Sequence, residues 1–163
     1  MNSYTFKDVS KLLKVKAKAK SKGELREIAS CCNVLGELYQ QQGKYEDAIA
    51  EHEEERKLCK QLNDCIGIGI AHRKIGEALN ELGQYENALK HQKNYLALAK
   101  SVDNKLEIQR ALATIGRTHF CHAEALTTNN RVLYDKALDS SKAFYQKSLE
   151  LCERQASIST SHF

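Results

Sequence analysis

Three glycines constrain this chain more than any other feature. Gly36, Gly76 and Gly116 stand 40 residues apart, each in a similar setting. Cys31 to Tyr39 (CCNVLGELY), Ala71 to Leu79 (AHRKIGEAL) and Ala111 to His119 (ALATIGRTH) align around them. The echo continues downstream. Gly43-Lys44-Tyr45-Glu46-Asp47-Ala48 returns as Gly83-Gln84-Tyr85-Glu86-Asn87-Ala88, and Asn63-Asp64 returns as Asp103-Asn104. A period shared over so many positions means stacked copies of one unit, each too small to bury its apolar face alone.

Each unit reads as helix, tight turn, helix, polar turn. In the first helix (A) an apolar residue precedes the glycine: Leu35, Ile75 or Ile115. A glycine inside a helix costs about 1 kcal/mol against alanine, which is tolerable where a neighbouring helix must approach the backbone. Gly43 and Gly83 fall where a left-handed residue ends a helix. Tyr45 and Tyr85 open the second helix (B), and Ala48-Ile49 and Ala88-Leu89 begin its packing face, extended by Leu58, Leu62, Leu96 and Leu98. This arrangement resembles the tetratricopeptide repeat, whose usual unit is about 34 residues. The chain has no proline, so nothing interrupts longer helices, and Asn-Asp or Asp-Asn takes over the turn after helix B. The fold class expected is all-α, a tetratricopeptide-repeat solenoid with extended 40-residue helix-turn-helix units.

The expected parts are a basic capping helix within 1–24, repeats at 25–64, 65–104 and 105–156, and a flexible tail at 157–163. Phe6, Val9, Leu12 and Leu13 recur at helical spacing and Ser21-Lys22-Gly23 ends them, as in a lone B helix. In the third repeat Ser141 holds the place of Ala48 and Ala88 but arrives late. The extra residues, near 122–136, include the polar stretch Thr127 to Tyr134, expected to form a protruding hairpin. The last B helix, with no polar cap after it, is expected to expose an apolar face, as in a longer array or a dimer.

Charge is uneven. The net charge is +4, yet residues 1–26 alone carry eight Lys and Arg against Asp8 and Glu24. With few aromatics interleaved, this stripe is expected to be a solvated helix face, with DNA contact the lesser expectation. The longest nearly apolar run, Cys65 to Ala71, is too short to cross a bilayer. No signal-peptide core opens the chain, so cytosol or nucleus is the expected address. Six cysteines without CxxC pairing fit reduced thiols, most of them in the core.

No constellation for catalysis emerges, and no enzyme activity, metal or cofactor is expected. Cys65-Ile66-Gly67-Ile68-Gly69-Ile70-Ala71-His72 starts like a dinucleotide fingerprint, but His72 replaces its third glycine and no strand precedes it. His119, Cys121 and His122 share a helical turn without a second ligand pair at zinc spacing. Binding is the function left to the repeat. Solvent-facing positions on the A helices, in register, are Asn33, Glu37 and Gln40, then Arg73, Glu77 and Asn80, then Ala113, Arg117 and Phe120. Aligned amides, carboxylates and guanidinium groups can hold an extended peptide backbone and pair with its charges. Glu37 and Glu77 favour a basic ligand.

Particular words of the sequence resemble one family. Ala71 to Glu77, Ala88 to Gln92, Tyr95 to Ala99 and Ala113 to His119, with the lysine-alanine run Lys16 to Lys20, are similar to the N-terminal repeats of Tonsoku-like proteins, over roughly residues 10–152. The resemblance implies a nuclear scaffold of replication-coupled repair by homologous recombination. It implies two partners: a histone tail peptide on the tetratricopeptide region, and a large repair protein of the methyl-methanesulfonate-sensitivity class. The family's ankyrin and leucine-rich repeats have no counterpart here. The runner-up resemblance is to spindle-orientation adaptors of the Pins class, which also use 40-residue units. Their A helix usually puts Asn after Leu-Gly, where this chain has Glu37, Glu77 and Arg117.

Overall fold

The computed structural model describes residues 6–126 and 131–160, and all its regular structure among them is helical. Two compact units divide the chain at Leu82. The first holds α1 (Phe6–Lys22), α2 (Leu25–Gln41), α3 (Tyr45–Gln61) and α4 (Cys65–Glu81). The second holds α5 (Tyr85–Ser101), α6 (Lys105–Ala125) and α7 (Arg131–Thr160). Within each unit consecutive helices pack on one another.

The 40-residue period comes from its parts. Helices α2, α3, α4 and α5 are each 17 residues long, separated by three-residue turns. The turns close in a common way. Gly23 and Gly43 adopt φ of +70° and +73°, and the next N–H reaches back five residues, Glu24 to Ala19 O at 3.1 Å and Lys44 to Tyr39 O at 2.9 Å. This is the hydrogen-bond pattern of a Schellman cap. After the B helices, Asn63 (φ 55°) and Asp103 (φ 47°) fill the glycine's place, and Asp64 and Asn104 make the same bond to Cys59 O and Ala99 O. Asn and Asp visit this region at small cost. Asp64 and Asn104 then cap the next helix, accepting from Gly67 N at 2.9 Å and Glu107 N at 3.1 Å.

Burial repeats with the sequence. Leu35, Ile75 and Ile115 are buried at the same place in α2, α4 and α6, as are Gly36, Gly76 and Gly116. The glycines earn their position by what they touch. A Cβ on Gly36 would clash with the His52 ring, 2.6 Å from its Cε1. In the second unit the Tyr145 ring lies 3.2 Å from where a Gly116 Cβ would be, and Ser141 Oγ donates to Gly116 O at 2.9 Å. By register Tyr145 stands in the place of His52.

Helix α1 packs in the first unit with Val9 beside Leu35 and Leu38, and Ala19 beside Ile28, Cys32 and Leu58. Its basic stripe is not wholly solvated. Lys16 is buried and bonds Glu51, and it reaches Glu54 at 2.8 Å; Lys20 reaches Glu54 at 2.6 Å. Cys32, Glu51 and Glu54 bring three ligand-type atoms within 4.8 Å of one another, but the Lys16 ammonium already serves them. Burial alone would lower the Lys16 ammonium; the two carboxylates outweigh it and hold it above the ordinary lysine value. Burial pushes the Cys32 thiol up to about 12 and Cys59 up to about 11, so neither is nucleophilic near neutrality.

Three expectations need correction. Cys31, Cys32 and Cys59 are core thiols, but Cys121 is half-buried and Cys65 and Cys152 are exposed, so only half of the six lie in the core. Thr127 and the residues to Asn130 lie outside the described residues, but Arg131 to Tyr134 are helical rather than turn-like. The extra residues of the third repeat extend α6 to 21 residues and α7 at its start, because no glycine or proline stops the helix there. Residues 157–160, expected in the tail, continue α7. The last helix does expose apolar residues, Tyr145 and Leu149 among them.

Two outcomes follow for stability. Lys16→Met should cost about 2 kcal/mol in urea denaturation, because it strands Glu51 beside Glu54 without a counter-charge. Burial raises the Glu54 carboxyl, but bonds from Lys16 and Lys20 outweigh it and hold it below its ordinary 4.5. Its contribution is therefore present above that pH and lost as pH falls through the lowered value, and Lys16→Met should flatten that acid limb. Gly36→Ala should lower stability by about 2 kcal/mol despite the better helix propensity of alanine, and His52→Ala in the same chain should recover part of the loss in thermal melts.

Candidate protein-interaction site

In the first unit the nominated side chains lie on α2 and α4, and most already have work within the protein. Asn33 is half-buried and donates from Nδ2 to Glu55 Oε1 on α3 at 2.8 Å. Glu55 Oε2 lies 2.8 Å from His52 Nδ1 one helical turn back. Glu37 crosses from α2 to α4 and pairs with Lys74 Nζ at 2.8 Å. Arg73 and Glu77 pair along α4, one turn apart, at 2.8 Å. Gln40 is half-buried, whereas Asn80, at the same register, is buried. Asn80 was expected to face solvent but is buried, and the side-chain oxygen of Gln40 is buried as well.

The result is a face whose charges are held rather than loose. Glu37 keeps two-fifths of its side chain exposed and Glu77 about a quarter, so both can still meet a ligand. Fixing them beforehand reduces the ordering cost of binding. Beside this face, Lys44 lies over the Tyr39 ring at 5.8 Å, closing the A–B turn.

In the second unit Ala113 is half-buried on α6, while Arg117 and Phe120 are exposed. Residues between and after them are committed to packing. Thr118 Oγ1 accepts from Gln92 Nε2 at 2.7 Å in the core. His119 stacks on Phe144 with centroids 5.6 Å apart, and His122 stacks on Tyr85 at 5.0 Å. Burial, with help from Lys93 and His122, lowers the His119 pKa below the ordinary histidine value. His119, Cys121 and His122 thus belong to aromatic packing and helix surface.

Reading by register did not reveal the partners of the α2 and α4 positions. Lys74 is adjacent to Arg73 in sequence, and nothing in a single chain says that it reaches Glu37. Glu55 and His52 did leave a signal: both interrupt the buried stripe that runs from Ala48 through Leu58 and Cys59. Polar residues at apolar register mark a buried network.

The Glu37–Lys74 pair is exposed enough that it should contribute little to stability. A double-mutant cycle with Glu37→Ala and Lys74→Ala, read by urea denaturation, should give a coupling below about 1 kcal/mol.

The family model of the tetratricopeptide repeat matches residues 24–101. The chain is 42% identical over 148 residues to a Tonsoku-like protein of Mus musculus, 41% over 149 residues to one of Bos taurus, and 36% over 142 residues to one of Drosophila melanogaster. These alignments cover 91%, 91% and 87% of this chain but only 10%, 10% and 9% of the relatives, so the chain spans about a tenth of their length. Among solved structures, the tetratricopeptide domain of Arabidopsis FLU superposes with a TM-score of 0.66 at 18% identity, covering 80% of this chain and 98% of that one. That likeness concerns the fold alone. Among the described residues no helix is long and apolar enough to cross a membrane. Repeat, helix pairing and sequence kinship agree: this chain is a protein-interaction scaffold of the tetratricopeptide fold and belongs to the Tonsoku-like family.

Proposed function

We propose that this chain is a scaffold module of replication-coupled DNA repair by homologous recombination, acting in the nucleus by holding a basic extended peptide such as a histone tail. Kinship with Tonsoku-like proteins supports the pathway. The observation that carries the binding mode is the pair of ion pairs on α2 and α4. Glu37–Lys74 and Arg73–Glu77 fix carboxylates and cations in register on one face of the first unit. Carboxylates so held can accept from lysines or from peptide N–H groups, and Arg73 can donate to peptide carbonyls. A large repair protein of the methyl-methanesulfonate-sensitivity class is the second partner in this reading. Duplex DNA is not a principal partner, because Lys16 and Lys20 are spent on Glu51 and Glu54.

The test is fluorescence anisotropy with labelled histone H3 and H4 tail peptides and scrambled peptides of equal charge. Selective binding that weakens by about tenfold or more in Glu37→Lys and Glu77→Lys supports the reading. Equal binding of scrambled peptides reduces it to nonspecific charge. No binding at all removes the peptide ligand and turns attention to a folded partner or to ligands of the Pins kind.

A further inference from the structure

Helix α1 turns one side inward and leaves the other open. Val9, Lys16 and Ala19 are buried, and the bonds from Lys16 to Glu51 and Glu54 on α3 fix the rotation of the helix. That rotation sets what the open side presents. Lys11, Lys14 and Lys18 are exposed. At helical pitch they fall within about 60° of one another and span about 10 Å along the axis. From Val9 to Gly23 the sequence holds no Asp or Glu, and among the described residues no carboxylate pairs with these three lysines. Three like charges held without a counter-charge are complementary to a row of carboxylates or of phosphates.

The residues around the lysines distinguish the two. Ser10, Ala17 and Ser21 are exposed and share a row with Lys14, at the four- and three-residue spacing of a helix ridge. Leu13 borders that row on the side away from Lys11 and Lys18, and is 43% exposed. Small side chains let a second helix approach closely, and an exposed leucine gives it an apolar edge. Lysine stems lying beside such a seam carry their ammonium groups to its flank. A phosphate backbone gains nothing from Leu13. Nor does the face carry an arginine, an amide or an aromatic ring for base edges or stacking. Ser21 Oγ already donates to Lys18 O at 2.8 Å.

We propose that the outer face of α1 is a docking surface for an acidic amphipathic helix of a partner protein. The partner's small and apolar residues lie over the row of Ser10, Lys14, Ala17 and Ser21. Carboxylates at three- and four-residue spacing along its flank meet Lys11, Lys14 and Lys18. This surface shares no residue with the α2 and α4 face, and its ligand is opposite in charge to the basic peptide assigned there.

The test uses the full chain and a labelled peptide designed as such a helix, with alanine and leucine along its seam and glutamate beside it. The same peptide broken by a central proline and a duplex oligonucleotide are measured in parallel by fluorescence anisotropy. The helical peptide should bind about tenfold more tightly than the broken one, and less tightly as salt is added. Lys11→Glu, Lys14→Glu and Lys18→Glu together should weaken it by about tenfold or more. The same change of net charge at the exposed Lys57, Lys60 and Lys90 should leave it as it was. Ala17→Arg keeps every lysine but fills the row; it should weaken the peptide by about tenfold and leave the oligonucleotide unweakened. This variant decides the matter if the triple reversal does not fold.

No binding of the helical peptide, equal binding of the broken one, or no effect of Ala17→Arg overturns the proposal. Tighter binding of the oligonucleotide, lost in the triple reversal, overturns it too and makes the face a phosphate surface. Self-association of the chain in sedimentation, lost in the same variant, makes a second copy the occupant and also overturns it.

Discussion

In each unit one helix backbone is approached closely by one bulky side chain. In the first unit it is Gly36 against His52; in the second it is Gly116 against Tyr145. The absence of a Cβ lets an imidazole or a phenol ring lie directly on the α-helix, and the large neighbours Leu35 and Ile115 are fully buried beside it. Once the glycine faces the B helix, the register directs Asn33 toward Glu55 and leaves Glu37 and Arg117 outward. A polar ring at such a depth brings its own obligations. His52 meets one of them through Glu55, and Glu55 in turn bonds Asn33 in the interior.

The period and the turns were legible because each rests on a local rule. A glycine at a helix end, an Asn-Asp turn and an apolar residue every three or four positions are properties of neighbours along the chain. What escaped was non-local or depended on depth. Lys16 looks like its neighbours Lys14 and Lys18 in sequence, yet it alone of the three is buried, because the helix turns it toward Glu51 on α3. Asn80 and Gln40 share a register that reads as solvent-facing, yet both carry buried side-chain oxygens, a depth that register alone does not reveal. The late insert looked like a turn because Thr127-Thr128-Asn129-Asn130 is polar. The residues after it, Arg131 to Tyr134, contain nothing that stops a helix, and α7 absorbed them.

The basic and acidic runs of the sequence illustrate how composition can mislead about partners. A strongly basic segment invites a nucleic-acid reading, yet Lys16 and Lys20 serve as counter-ions for a carboxylate pair on α3. The exposed Lys11, Lys14 and Lys18 remain, and they form a shorter cationic stripe than the raw count gives. Equally, the acidic run Glu51-His52-Glu53-Glu54-Glu55 is not one patch. It divides around the helix into a lysine-binding pair, a surface ion pair with Arg56 and a buried hydrogen-bond centre. Helical geometry sorts a single charge block into three environments.

Within each unit every main contact joins helices that follow one another in the chain. Such a topology needs few distant loop closures, and the folding rate of a domain rises as its contacts become more local. Each helix pair can therefore form as soon as its own residues have left the ribosome, α1 and α2 before α3 and α4 are complete. In a repeat array of this kind, order can begin at any helix pair and spread to its neighbours within the unit.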